Sequence, residues 1–378
     1  MAAVMKPAGL YVHVPFCLKK CSYCSFCSIE HDPGMETGYR AAVLSELKQK
    51  TRGADLRTFY AGGGTPSLLP PEYWRTFLNE LGSIADINAI NELTIETNPG
   101  IVLPEGIQGL RQVGFNRLSI GIQSFSPEEL KVLGRIHSPD QASEALIEAR
   151  SAGFDNIGID LIYGIPGQDL HRWENNLKAA VQLMPEHISC YELSLEPGTP
   201  LHDAVAGGEV IKPKEEICIE MYFLAHSILT DAGYLHYEVS NYALGTDFIS
   251  KHNTSYWDRT PYFGLGPSAH SFNGGFVRSW NTSDISNYIT ILSLGNSPIV
   301  NSESLSVDDM VMEMLMLGLR WQLGFDMEHL LEATGHTVNA EHLDRMIAAG
   351  RVTLDGSSVI PTALGMLYAD GDAVGLIN

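Results

Sequence analysis

Six short runs of apolar and β-branched residues alternate with helical patterns over the first half of this 378-residue chain. They are GLYVHVPF (9–16), LRTFYAGGG (56–64), ELTIETNP (92–99), RLSIGIQSF (117–125), NIGIDLIYGIP (156–166) and HISCYELSLEPG (187–198). Strands separated by helix-length segments pair in parallel, because only a crossover helix returns the chain to the same end of a sheet. Six units are too few for a closed eight-stranded barrel, which leaves an open, partial barrel or a doubly wound sheet. The clearest helix is Pro139 to Gly153. Ala142, Ala145, Leu146 and Ala149 share a face, Ser138-Pro139-Asp140-Gln141 predicts a capping box, and Gly153 closes the end. Ser126-Pro127-Glu128-Glu129 carries the same start signal.

The distribution of unusual residues favours the barrel. Cys17 follows the first run, and Gly62, Gly63 and Gly64 follow the second. Glu96, Gln123 and Asp160 lie late in or within the next three. Parallel α/β folds gather their sites at the C-terminal ends of strands. The expected fold class is therefore α/β, with a partial (β/α)6 TIM-type barrel over residues 1–205. An α+β extension follows over 206–300, with a helix at about 214–233 and an aromatic-rich, strand-forming stretch. Residues 301–378 open on the amphipathic DDMVMEMLMLGLRW, continue with two shorter helices, and end on RVTLDGSSVIPTALGMLYADG, a hairpin and closing helix. That order predicts a small winged-helix-like domain.

Net charge is −21 and the sequence pI about 4.9. Such a surface repels phosphate backbones and anionic lipid, so the chain reads as no binder of nucleic acid. MAAVMKPAGLYVHVPF has no secretory h-region, and no window reaches membrane-spanning length, so the expected location is cytoplasmic. Thiols there stay reduced.

Four of the six cysteines fall in CLKKCSYCSFC, residues 17–27. The spacing is Cys17-x3-Cys21-x2-Cys24, with Cys27 beyond. A zinc site normally pairs two short knuckles far apart in sequence, and no second knuckle is present. Three thiolates from one loop can each take one corner of an iron–sulfur cubane and leave the fourth iron open to a ligand. Zinc and a structural disulfide stand as the less favoured alternatives.

CxxxCxxC with Tyr23 before the third cysteine resembles the radical S-adenosylmethionine (SAM) superfamily. The resemblance implies a [4Fe–4S] cluster on Cys17, Cys21 and Cys24, SAM on the open iron, and a partial (β/α)6 barrel. YVHVPFC, AGGGTPSLL, TIETNPG, IGIQSF, GRIHSPD and GIDLIYGIPGQ, in this order, are similar to the oxygen-independent coproporphyrinogen oxidases and their relatives. That likeness implies that Tyr11 and Tyr23 flank the cluster and adenosyl group. Gly63, Gly64 and Thr65 would receive the methionine end, and Glu96, Gln123, Arg135 and Asp160 would hydrogen-bond the polar parts of SAM. The plainer readings are a tight turn for the glycines, barrel-core carboxylates for Glu96 and Asp160, and an exposed helix end for Arg135.

The oxidases carry a further cysteine two positions after the third ligand, where this chain has Phe26. Cys27 is one residue late, points elsewhere in an extended segment, and is expected not to ligate. Cys190 and Cys218 read as core residues. The oxidases also have a long segment before the cluster motif, whereas sixteen residues precede Cys17 here. YEVSNYA (237–243) and HNTSYWDRTPYFGLGPSAHSF (252–272) instead resemble the heme chaperone (HemW-type) branch. Its H-N-x-x-Y-W motif stands as His252, Asn253, Tyr256 and Trp257, which implies heme binding with His252 and Tyr256 as the binding residues. A structural histidine and a core aromatic are the alternative. The implied function is heme binding and delivery. The implied partners are heme, heme-acceptor proteins and an electron donor such as flavodoxin or ferredoxin, with at most peripheral contact to membrane-bound acceptors. The enzymatic alternative is oxidative decarboxylation of a porphyrinogen, or another radical reaction on a tetrapyrrole.

Overall fold

The computed structural model describes residues 7–101 and 104–377; the first six residues of the leader reading lie outside it. The six runs overlap six parallel strands: β1 (Ala8–Val14), β2 (Leu56–Gly63), β3 (Glu92–Thr97), β4 (Arg117–Gln123), β5 (Ile157–Tyr163) and β6 (His187–Glu192). They pair in sequence order. Both faces are covered, so β1 and β5 are buried at all but one position, which is why they read as unbroken apolar runs. The crossover helices Pro33–Lys50, Pro71–Ile84, Pro104–Val113 and Pro139–Ser151 pack each against the next. That side-by-side ring belongs to a barrel, since a doubly wound sheet divides its helices between two faces.

The sheet does not close on itself. Four further strands leave the β1 edge and two the β6 edge. These are β7 (Leu235–Glu238), β8 (Asn241–Ala243), β9 (Tyr262–Leu265), β10 (His270–Phe272), β11 (Val277–Asn281) and β12 (Ile299–Ser304). The order across the sheet is β12-β11-β10-β9-β1-β2-β3-β4-β5-β6-β8-β7. β9 lies parallel to β1, with Tyr11 opposite Gly264, so a seventh parallel strand arrives from the extension. The others on that edge, and both on the far edge, pair antiparallel.

Local signals were read correctly with one exception. Ser138 and Gln141 make the reciprocal capping box. Ser126 caps its helix through the Glu129 N–H, but the Glu129 carboxylate does not reach back. It is buried and accepts instead from Ser124 Oγ (2.6 Å) and Asn176 Nδ2 (2.8 Å).

Residues beyond Ser306 form their own core around Val311, Leu315, Leu319, Leu343, Met346 and Val359. Three helices (Val307–Arg320, Met327–Thr334, Ala340–Ala348) precede the hairpin Val352–Asp355/Ser358–Pro361, whose second strand also pairs with Phe325–Asp326. This is the helices-then-wing order expected there.

Glu46 fastens the first crossover helix to the extension. Its fully buried carboxylate pairs with Lys50 (2.7 Å) and accepts from Gly266 N–H (2.9 Å), Asn281 Nδ2 (2.8 Å) and Tyr288 Oη (2.5 Å). Removing one partner of a buried ionic network leaves the rest uncompensated. Glu46→Ala is expected to lower stability by about 3 kcal/mol or more, seen as a lower urea midpoint of the apoprotein. A change within about 0.5 kcal/mol, the usual effect of a surface substitution, would contradict this account.

Candidate functional site

Beyond β1 the chain makes a two-residue ladder, Phe16–Cys17 beside Ile29–Glu30, so the cysteine loop is tied at its neck. Its centre is tied too. Ser22 donates through N–H to Leu133 O (3.1 Å) and through Oγ to Val132 O (2.8 Å), and its own carbonyl accepts from Leu201 N–H (2.9 Å). The glycine run sets the loop's height. Gly64 N–H donates to Val14 O and Thr65 N–H to Phe16 O, both at 2.7 Å. A Cβ on Gly64 would stand 2.6 Å from Phe16 O, and one on Gly63, at φ +106°, would stand 2.6 Å from the His13 ring. The glycines are thus required by the approach of the protein's own backbone. Their N–H groups are engaged inside the protein, so any ligand contact through them uses carbonyl oxygens, the partners an ammonium group needs.

A cavity of about 440 Å³ opens at the C-terminal ends of the strands. Cys17, Cys21, Cys24 and Tyr23 form one wall; Gly63, Gly64, Thr65, Glu96, Gln123, Arg135 and Asp160 form others. Cys27 does not line it; its thiol donates to Ser283 O (3.3 Å). Among the described residues no three His, Cys, Asp or Glu side chains meet closely enough for one metal ion.

Arg135 is no exposed helix end. Its guanidinium donates to Asn98 Oδ1 (2.5 Å), Gly121 O (2.5 Å) and Cys21 Sγ (3.5 Å), while its buried Nε has no partner. Glu96 accepts from Tyr60 Oη (2.7 Å) and Gly63 N–H (3.1 Å). Burial, with Asp160 nearby, raises its pKa to about 7. Burial likewise raises Asp160, against hydrogen bonds from Ser189 and Ser119. Gln123 has φ +69° beside a register shift in β4. Such a bulge re-aims one side chain, and here it turns Gln123 into the cavity. A zwitterion with an added positive charge suits this mixture of carboxylates, a guanidinium and carboxamides.

The cavity also includes Asn98, Arg117, Ser119 and Ser189, which sequence reasoning missed, and Asn253, which it read as part of the heme motif. A signal for the first three existed. Asn98 lies two residues from Glu96, Ser119 and Arg117 step back by twos from Gly121, and alternate residues of a strand share a face.

Tyr11, His252 and Tyr256 lie elsewhere. Tyr11 and Tyr256 line a second cavity of about 420 Å³ with Phe26, Cys27, Tyr262 and His270. Ser25, Phe26, Gly63 and Glu96 belong to both cavities. Tyr11 Oη and His13 Nδ1 are 3.0 Å apart, and His13 Nε2 donates to Cys27 O (2.7 Å). The HNxxYW motif occupies a helix, Lys251–Trp257, that closes the N-terminal end of the barrel. Glu92 accepts from the N–H groups of Lys251 (2.8 Å) and His252 (2.9 Å). His252 is buried, with Thr58 Oγ1 at Nδ1 and Tyr256 Oη at Nε2, both 2.8 Å, and burial lowers its pKa to about 3. The motif therefore divides: Asn253 faces the first cavity, Tyr256 the second, and Trp257 packs on Tyr237 and Trp321.

Residues 11–180 match the model of the Radical SAM superfamily, and residues 305–368 that of the HemN C-terminal domain. The chain is 34% identical over 376 residues to the heme chaperone HemW of Mycobacterium tuberculosis, covering 95% of each. It is 36% identical over 275 residues to HemW of Escherichia coli strain K12, covering 70% of each. The solved structure of the coproporphyrinogen III oxidase HemN from Escherichia coli, a radical SAM enzyme, superposes with a TM-score of 0.83 at 23% identity, over 98% of this chain and 90% of that one. The last comparison shows the fold.

Two expectations follow from the geometry. Replacing Cys17, Cys21 or Cys24 by Ala should abolish a reconstituted four-iron cluster, whereas Cys27→Ala should keep it; iron and sulfide analysis decides. Glu96→Ala should weaken SAM binding about tenfold or more, the usual value of a charge-assisted hydrogen bond. In the unchanged protein the Glu96 carboxylate is anionic above about pH 7. Affinity for cationic SAM should therefore hold above that pH and fall, by up to about tenfold per unit, below it. A flat profile from pH 6 to 8 by equilibrium dialysis would remove Glu96 as a charge partner.

Proposed function

The chain belongs to the HemW heme chaperone family of the radical SAM superfamily, and from that premise we propose that it binds heme and delivers it to acceptor proteins. The observation that carries this reading is that the likeness to heme chaperones runs through 376 residues, not the cluster segment alone. The superfamily's [4Fe–4S] cluster and SAM fit the first cavity: three thiols share a wall, and the unpartnered Nε of Arg135 sits behind Cys21.

When bound, the cluster supplies a single electron and SAM a 5′-deoxyadenosyl group. The protein's part is positional and electrostatic. Cys17, Cys21 and Cys24 hold the cluster, and Arg135 donates toward the Cys21 sulfur. Glu96, Gln123 and Asp160 take the polar groups of SAM, with Gly63, Gly64 and Thr65 at the methionine end. Tyr23 packs against Leu133, Ile162 and Leu193 and stiffens the cysteine wall. His252 acts through Tyr256, whose hydroxyl it fixes.

In this reading residues 1–205 carry cluster and SAM, 206–300 complete the heme side, and 301–378 pack behind the motif helix. The partners are heme, its acceptor proteins and a flavodoxin- or ferredoxin-type electron donor, and the setting is the cytoplasm. Among the described residues no helix is long and apolar enough to cross a membrane.

Anaerobic reconstitution followed by a heme titration tests the proposal. One heme bound per chain, with coproporphyrinogen III returned unchanged, is expected. Decarboxylation of that porphyrinogen with no stoichiometric heme binding would place the chain with the oxidases.

A further inference from the structure

The heme chaperone reading does not say where heme sits, and the motif histidine has both ring nitrogens engaged. We propose that the second cavity is the tetrapyrrole site and that the His270 imidazole ligates the iron; this rests on the heme reading above.

The walls have the right chemistry. Tyr11, Phe26, Tyr256 and Tyr262 surround the space, and aromatic side chains pack well on flat π systems. Phe26 is 63% exposed, more than any other large aromatic ring among the described residues. It lines the first and second cavities and also an outer groove that holds Lys20. The Lys20 ammonium is held there by Phe26 O (3.2 Å) and Ser28 O (3.3 Å). In a chain of net charge −21, that cation gives the carboxylates of a porphyrin a direction in which to point.

His270 is built as a ligand. Its ring stacks on Trp280 at 5.4 Å and 19°, which fixes the plane. Among the described residues its ring nitrogens have no hydrogen-bond partner, whereas those of His13 and His252 are all engaged.

The backbone has been bent to bring it there. Ser268, which also lines the cavity, has φ +62° in the turn from β9 to β10, a conformation that costs a non-glycine residue energy. A Cβ on Gly264 would stand 2.0 Å from His270 O, so the approach exists only because that position is glycine. Glu96 and Gly63 form the shared wall, which sets a tetrapyrrole here directly beside the SAM cavity.

The test uses the full chain, with its cluster reconstituted anaerobically, titrated with hemin. His270→Ala should weaken hemin binding about tenfold or more and shift the Soret band. Added imidazole should restore the wild-type band, while iron content and SAM binding stay unchanged. A His270→Ala protein with wild-type affinity and spectrum would overturn this site and leave the heme chaperone reading standing. Failure of the unsubstituted chain to bind hemin stoichiometrically would overturn that reading, and this site with it.

Discussion

The carbonyl oxygen of Phe16 stands where a side chain on Gly64 would begin. That close approach is the constraint on which the rest of the site depends. It lets the two backbones exchange hydrogen bonds at 2.7 Å and sets Cys17 against the end of β2. The next ties follow from it, at the Phe16–Cys17 ladder and at Ser22. A loop with this many backbone anchors keeps Cys17, Cys21 and Cys24 together on one wall of the cavity.

From that wall the polar groups are arranged by period and by one deliberate irregularity. Alternate residues of β3, β4, β5 and β6 face inward, and the register shift after Ile120 adds Gln123 to them. Arg135 arrives differently, just past the left-handed Gly134 that ends its helix. The motif helix then closes the other end of the barrel. Its N-terminal N–H groups meet the Glu92 carboxylate, a favourable pairing of anion with helix dipole. Its histidine stacks on Tyr60 at 5.1 Å, and Tyr60 donates to Glu96. A motif far along the chain therefore touches the first cavity by two routes, through Tyr60 and through Asn253.

The parallel strands were legible because each is buried on both faces, which writes a continuous apolar run into the sequence. The cysteine, glycine and carboxylate positions were legible because they fall at strand ends, where parallel folds place their chemistry. What stayed hidden depends on long-range pairing. Nothing local in Tyr262–Leu265 says that it will lie beside β1, yet that strand brings Tyr262 against the second cavity, which Tyr11 lines in place of the first. His252 could not be told from an exposed ligand, because its partner Thr58 lies 194 residues away in sequence. Arg117 opens the fourth run and is buried, its charge answered by Glu92. The Ser126 box failed because Glu129 found buried partners, a tertiary contact overriding a local one.

Glu96 is what makes two adjoining cavities one device. Its carboxylate lines both, and its pKa of about 7 leaves it divided between neutral and anionic forms at neutral pH. A cation bound in the first cavity favours the anionic form. The same side chain lines the second cavity, where its anionic form disfavours another carboxylate beside it. Linkage is reciprocal: a ligand of the first cavity that changes affinity in the second through the Glu96 proton has its own affinity changed by the same factor when the second is filled. Coupling by this route needs no domain movement, only one shared proton on the wall that the two cavities have in common.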